Sequence, residues 1–491
     1  MAHLSRRDFL ENSLLTSAAA ALAGSVPQLV RAQGEAADKN SILRVAVLGV
    51  NGRGQDHLNG FMRRKDCEVV AVCDPDEQVG QKKGVEVVEK ATGKAPVYHK
   101  DLRRVMEDKS IDIVSIATPN HWHSLAAIWA LQAGKDVYVE KPVSHNVQEG
   151  RRVFDAARKY NRICQTGTQS RSMPGTREFM EFLHSGGIGA ITLARGLCYK
   201  NRPSIGARGT YAVPESVDYD LWCGPAPTAP LSRPRFHYDW HWQWDYGNGD
   251  LGNQGIHQMD LARWGLGKSD VGVSVLSYGG RFGYTDAGET ANTQVSFHDY
   301  GDKLLVFEVR GLPSEAYTGA GVGVIFEGAD GYAVMPSYSG GVIFDKSGNQ
   351  VKKFSGEADH YDNFIKAVGS RRISDLNADI LEGHLSSALC HLGNISYRLG
   401  EVVDAAEVAK RLGSLKSSGP AGEALETFSR VEAHLKASNV DVGSAKMTCG
   451  PLLQLDPVAE VFTGELSQKA NPLLTREYRK GFEVPATAEK V

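Results

Sequence analysis

Arg44-Val-Ala-Val-Leu-Gly-Val-Asn-Gly-Arg-Gly-Gln-Asp56 is the stretch whose reading decides the fold. Four apolar, strand-forming residues, Val45 to Leu48, break at Gly49, and Gly52 and Gly54 follow before a polar, helix-compatible run. A strand, a tight turn and a helix start in that order suit a bound pyrophosphate. Glycines let the backbone approach it, and the first helical N–H groups are unpaired. The spacing is G-x-x-G-x-G rather than the regular G-x-G-x-x-G, so the turn alone does not establish a dinucleotide site. A second apolar run, Glu68 to Cys73, ends in Asp74, about 25 residues beyond Gly49 and near the ~20 expected of a carboxylate that binds the adenosine ribose.

Downstream, strand and helix patterns alternate to about Gly167. The apolar runs Asp112–Pro119 and Asp136–Pro142 and the short Ile163–Gly167 read as strands, separated by helices near 123–132 and 147–159. This order predicts an α/β fold with a parallel sheet and right-handed crossovers, ligands lying at the strands' carboxyl ends. Those ends hold the glycine turn, Asp74, Thr118-Pro119-Asn120-His121 and Glu140-Lys141-Pro142. The second half changes character. Strand patterns at 191–197, 292–298, 304–310, 323–328, 331–335 and 341–344, joined by short turns, predict an α+β domain with a large, mostly antiparallel open sheet. A long amphipathic helix is expected over 379–399, and an extended tail over 451–485.

The glycine turn, the T-P-N-H strand end and above all the E-K-P strand end resemble the glucose-fructose oxidoreductase, inositol dehydrogenase and rhizopine-catabolism (Gfo/Idh/MocA) family of NAD(P)-dependent sugar oxidoreductases, from about residue 42 to 410. The resemblance implies a Rossmann domain followed by a substrate and oligomerisation domain. It also implies that Lys141 lies beside the nicotinamide and the substrate hydroxyl. The family's D-x-G-x-H-x-x-D segment falls on Asn253 to Asp260, so His257 and Asp260 match and Asn253 stands in place of an aspartate. Asn cannot act as a base, which passes that role to His257. Lys141 would then hydrogen-bond the reacting oxygen. Gln169 and Arg171 match a family segment near the substrate. Family members assemble through the open sheet face, which implies a homo-oligomer, a dimer or tetramer.

The expected cofactor contacts are Gly49, Asn51, Gly52, Arg53, Gly54, Asp74, Thr118, Pro119, Asn120, His121, Glu140 and Lys141. Asp74 favours NAD over NADP, because a carboxylate accepts from the ribose 2′-OH and repels a 2′-phosphate; Arg53 leaves NADP open. In the run Phe236 to Tyr246, Trp240 and Trp242 offer faces on which a sugar stacks, so they join Asp260, Gln169 and Arg171 as candidate substrate contacts; packing against the protein's own surface is the alternative for this loop. His237, His241 and Asp239 have ligand chemistry, but the aromatics between them argue for a loop, and no metal is expected.

With 491 residues, two domains plus extensions are expected: 35–167 for the dinucleotide, 168–416 for the substrate, and 417–491 as a C-terminal extension. The near-neutral balance of 55 basic and 58 acidic residues favours a small carbohydrate or cyclitol over nucleic acid or a membrane surface as partner. Seven scattered cysteines without a C-x-x-C argue against a disulfide framework. Residues 1–34, with Arg6-Arg7, an apolar stretch and Val30-Arg31-Ala32, resemble a twin-arginine export signal and imply a periplasmic protein that crosses the membrane folded. Such a protein would carry its cofactor tightly bound. Three activities stay open on these residues: oxidation or reduction of a secondary hydroxyl of a sugar, cyclitol or glycoside; redox-neutral cleavage of a glycoside by transient oxidation; and non-catalytic sugar binding.

Overall fold

The computed structural model describes residues 42–415 and 420–491; the twin-arginine segment lies outside the described residues. The first sheet has six parallel strands in the order β3-β2-β1-β4-β5-β6. They are β1 (Leu43–Leu48), β2 (Cys67–Cys73), β3 (Val97–His99), β4 (Ile113–Ile116), β5 (Asp136–Val139) and β6 (Cys164–Thr166). Val45 to Leu48 are fully buried because β1 has strands on both sides and helices on both faces, which is why it reads as a continuous apolar run. Helices α1 (Gly54–Met62), α2 (Asn120–Gln132) and α3 (Val147–Lys159) follow β1, β4 and β5. Asn146 caps α3 by accepting from Glu149 N at 3.0 Å. The strand order reverses between β1 and β4, which opens the crevice where a dinucleotide sits in such sheets.

The second sheet has twelve strands and is mostly antiparallel. Its centre is formed by β7 (Ile191–Tyr199), β8 (Ser274–Gly280), β9 (Thr293–Asp299) and β10 (Leu304–Arg310), with β10 lying parallel to β7 and antiparallel to β9. The strands β11 (Val322–Gly328), β12 (Gly331–Met335), β13 (Val342–Asp345) and β14 (Gln350–Lys353) extend it beyond β7. Its inner face carries α4 (Gly249–Asn253), α5 (Gly255–Gly265) and α6 (Ile380–Arg398). Along β10 the period of two is plain: Leu305, Phe307 and Val309 enter the core beneath α5 and α6, whereas Leu304 and Val306 point to the other face.

The sheet is open, as expected, with β14 at one edge, but its other face is not bare. Over β7 to β10 it is covered by the chain's own α7 (Ala405–Gly413) and α8 (Pro420–Ala437), which bring Val408, Leu412, Phe428, Val431 and Leu435 onto Leu276, Tyr278, Val295, Phe297 and Val306. A buried ion cluster pins α8: Glu308, 0% exposed, accepts from Arg195 at 2.8 Å, Arg430 at 2.7 Å and Tyr199 at 2.7 Å. The C-terminal extension thus includes a helix ahead of the 451–485 stretch, and that stretch, read as an extended tail, contains the short strands Leu453–Asp456 and Val461–Thr463. The extension also holds β15 (Met447–Cys449), which pairs with β8. Its last residues return to the first domain, where Phe482 packs edge-on against Trp122 with ring centroids 5.6 Å apart, and Val484 and Val491 join the same core. All seven cysteines are free and buried. Among the described residues no helix is long and apolar enough to cross a membrane.

Candidate active site

The glycine turn after β1 is shaped by two close approaches. Gly49 has φ +78°, and a Cβ there would lie 2.7 Å from Ala117 O; a Cβ on Gly54 would lie 1.9 Å from Gly49 O. A Cβ on Gly52 meets nothing within 4 Å, so this glycine faces open space in the cleft. The turn is held from β2: Val50 N donates to Asp74 Oδ2 and Asp76 N to Asp74 Oδ1, both at 3.0 Å. Burial raises the Asp74 carboxyl to about 6 against the stabilising pull of those two N–H groups. Each oxygen keeps a second lone pair for a ligand.

A cleft of about 370 Å³ runs from this turn to the second domain. Its walls at the cofactor end include Gly49, Asn51, Gly52, Arg53, Asp74, Thr118, Pro119 and Asn120, and toward the second domain Glu140, Lys141, Lys200, Arg202, Asn253 and Gln254. Glu140 organises the junction. Its Oε1 accepts from Arg53 Nε at 2.9 Å and Gln169 Nε2 at 3.1 Å and lies 3.2 Å from His57 Nε2. Burial opposes its charge, but Arg53, His57 and Lys141 prevail and hold it well below the usual carboxylate range. Lys141 Nζ donates to Asn253 O at 2.8 Å, and burial lowers its pKa. His257, 9% exposed, is not among the residues lining the cleft; its ring lies 4.9 Å from that of Tyr338, and it feels the charge of Lys141. Burial, and then the charge of Lys141, push its pKa well below the ordinary value. The imidazole is therefore neutral at pH 7. It is also a weaker base than a solvated histidine, whose ordinary value is near 6.5.

The long connection from Lys200 to Asn248 covers the cleft. Leu221, Trp222, His237, Tyr238, Trp240 and His241 line it opposite the glycine turn. Hydrogen bonds tie this cover to the first domain: Glu77 N to Ser216 O at 2.9 Å, Asp218 N to Pro75 O at 2.9 Å, Trp122 Nε1 to Leu221 O at 3.0 Å, and His237 Nε2 against Asp76 Oδ2 at 2.9 Å. The donor set fits a dinucleotide: an open glycine cradle at a helix start, an acceptor at the end of β2, and an enclosing aromatic wall.

Several expected contacts lie elsewhere. Arg171 and Asp260 spend their charges on each other: Arg171 Nε donates to Asp260 Oδ2 at 2.8 Å and Nη2 to Oδ1 at 2.9 Å, and Arg171 also binds Glu382 at 2.9 Å. Both are buried and neither lines the cleft. Gln169 is turned to Glu140 and Tyr138, not to the cleft. His121 points away from the cofactor space, with Nε2 2.8 Å from Trp222 O. Trp240 lines the cleft, stacked on His241 with centroids 3.6 Å apart, whereas Trp242 is buried under Arg202. Asn253 ends α4 and His257 lies on α5, with Gln254 between the two helices. Lys200 and Arg202, just past β7, were not singled out from the sequence. Arg202 makes a two-pronged pair with Asp250 at 2.7 Å in both bonds. Only the fold carries the end of β7 to Lys141; no local spacing signals it.

Residues 43–168 match the sequence model of the Gfo/Idh/MocA oxidoreductase family, NAD-binding Rossmann fold, and residues 207–417 match that of its C-terminal alpha/beta domain. Levoglucosan dehydrogenase of Pseudarthrobacter phenanthrenivorans is 31% identical over 178 residues, 36% of this chain and 38% of that protein. The alpha-N-acetylgalactosaminidase of Shewanella oneidensis is 33% identical over 131 residues, 26% of this chain and 28% of that protein. The chain thus spans well under half the length of these curated relatives. Among solved structures, the WlbA dehydrogenase of Bordetella pertussis, in complex with NADH and UDP-GlcNAcA, is 20% identical with a TM-score of 0.52, over 72% of this chain and 96% of that one. An oxidoreductase domain protein of Kribbella flavida is 19% identical with a TM-score of 0.53, over 72% and 96%. These two likenesses show the shared fold.

Proposed function

The chain belongs to the Gfo/Idh/MocA oxidoreductase family, and on that premise we propose that it oxidises or reduces a secondary hydroxyl of a sugar, cyclitol or glycoside with a nicotinamide dinucleotide, NAD in preference to NADP. The observation that carries this reading is the meeting, in one covered cleft, of the open glycine turn, Asp74 and the Lys141 amine. When bound, the dinucleotide supplies the hydride acceptor or donor. The chain's own residues do the rest. Gly49 to Gly54 and the start of α1 hold the pyrophosphate, and Asp74 accepts from the ribose. Lys141, kept in place by Asn253 O, contacts the reacting oxygen and stabilises its negative charge. The neutral His257 imidazole, which makes no side-chain hydrogen bond among the described residues, accepts the hydroxyl proton in the oxidative direction and returns it in the reductive one.

The cover pinned across the cleft supports a dinucleotide that is held through many turnovers, as export of a folded, loaded protein to the periplasm would require. The identity to the alpha-N-acetylgalactosaminidase favours a second reading, in which a glycoside is oxidised, cleaved and reduced again without net redox change. Two measurements separate the cases. Purified full-length protein, denatured and assayed for released nucleotide, is expected to yield NAD. A panel of sugars and aryl glycosides is then tested for nicotinamide absorbance change against aglycone release, with Lys141→Ala as control. Full turnover by a folded Lys141→Ala variant, or absence of nucleotide together with no binding of added NAD or NADP, would sink the proposal.

A further inference from the structure

Asn120 in the main cleft donates to Asn248 Oδ1 at 3.1 Å, and on the far side of Asn248 lies a second cavity of about 320 Å³. It is walled by the end of α6, Trp244 and Asp245, and residues 472–477 of the returning C-terminal segment. Its polar groups are under-used. His391, 3% exposed, lines it with Nε2 3.0 Å from Ser144 Oγ and with Nδ1 unpartnered among the described residues. A buried ring nitrogen in that state costs free energy until a ligand or water completes it. Arg398 reaches the cavity from an exposed position, over the Trp244 ring at 5.2 Å, and makes no hydrogen bond among the described residues. Arg476 donates through Nη1 to Asp245 O at 2.9 Å and lies 3.1 Å from His145 Nδ1, which leaves its other N–H groups uncommitted among the described residues. The Asp245 carboxylate shares the cavity and forms no ion pair with either guanidinium. Glu477 lies exposed at the rim.

We propose that this cavity is a binding site for a small polyhydroxy acid, an aldonate or uronate, with its carboxylate on Arg398 and Arg476 and its hydroxyls on Asp245 and His391. Guanidinium forks match a planar carboxylate. An ionised Asp accepts only, so it needs hydroxyl donors. A neutral sugar would leave both guanidiniums without an anion, phosphate would set a dianion against Asp245, and a carboxylate without hydroxyls would leave Asp245 and His391 unmatched. The volume suits a ligand of this size. The inference rests on this cavity alone and stands apart from the redox chemistry of the main cleft.

Calorimetric titration of the full-length protein with gluconate, with the main cleft saturated by NADH, tests it. Saturable binding is expected, weakened about tenfold or more by R398Q and retained in Lys141→Ala, so that loss of the redox function and loss of this site are told apart. The proposal is overturned if gluconate binds the wild type and R398Q equally, if Lys141→Ala abolishes binding, if glycine or phosphate binds as tightly, or if no saturable binding occurs.

Discussion

Replacing Arg171 by Met separates a structural ion pair from a substrate contact. Asp260 is 1% exposed, and the substitution removes the guanidinium that donates to both of its oxygens. Stranding a buried charge in this way costs about 3–5 kcal/mol. The lower end applies here, because Ser386 Oγ still donates at 2.7 Å and Arg263 Nη2 remains 3.9 Å away. A loss of about 3 kcal/mol lowers the folded-to-unfolded ratio on the order of a hundredfold. Urea unfolding at pH 7, followed by tryptophan fluorescence, is expected to show a clearly lower midpoint, with NADH affinity of the folded variant unchanged within about twofold. Removing the stranded carboxylate in Arg171→Met/Asp260→Leu is expected to recover at least about 1 kcal/mol, since an apolar pair of similar bulk tolerates burial. If Arg171→Met unfolds at the wild-type midpoint yet loses turnover, Arg171 touches substrate and the assignment fails. A double variant no more stable than Arg171→Met would equally refute the stranded-charge argument.

Two further outcomes test the cradle and the buried histidines. Gly52→Ala is expected to fold like the wild type and to lose dinucleotide affinity, because its methyl enters open cleft space; Gly54→Ala, whose Cβ would collide with Gly49 O at 1.9 Å, is expected to lose stability by about 1–3 kcal/mol. Equal stability of the two, by thermal melts with and without NAD, would contradict the geometry. Burial lowers His121, His241, His298 and His391 to about 3 and His360 to about 4. Below their unfolded value near 6.5 the unfolded chain binds protons that the native chain does not, so stability falls as pH falls, by about 1.4 kcal/mol per pH unit for each histidine. Asp74, raised to about 6, opposes this with one proton bound by the native state. The urea midpoint should drop steeply from pH 6.5 to 4.5; a flat profile would show that these rings titrate in the folded protein.

The sequence by itself determined the first domain and the positions of its chemistry. A central parallel strand is apolar throughout because both faces are covered, and strand ends are where polar residues interrupt such runs, so Gly49, Asp74, Asn120 and Lys141 were legible from local pattern. The helix α8 was not read from the sequence, although Ala424, Phe428, Val431 and Leu435 recur at helical spacing on the face that covers the sheet. What only the tertiary structure decided were pairings between residues far apart in the chain. Arg171 is spent on Asp260, Gln169 on Glu140, and His121 on the Trp222 carbonyl, while Lys200 and Arg202 are delivered to the cleft from the end of β7. A charged or polar side chain states in sequence only what it can bind; which partner it meets depends on burial and on the crossing of elements that local periodicity does not encode. The same holds for the outer sheet face, whose alternating apolar residues look alike whether a second subunit or the chain's own α7 and α8 cover them.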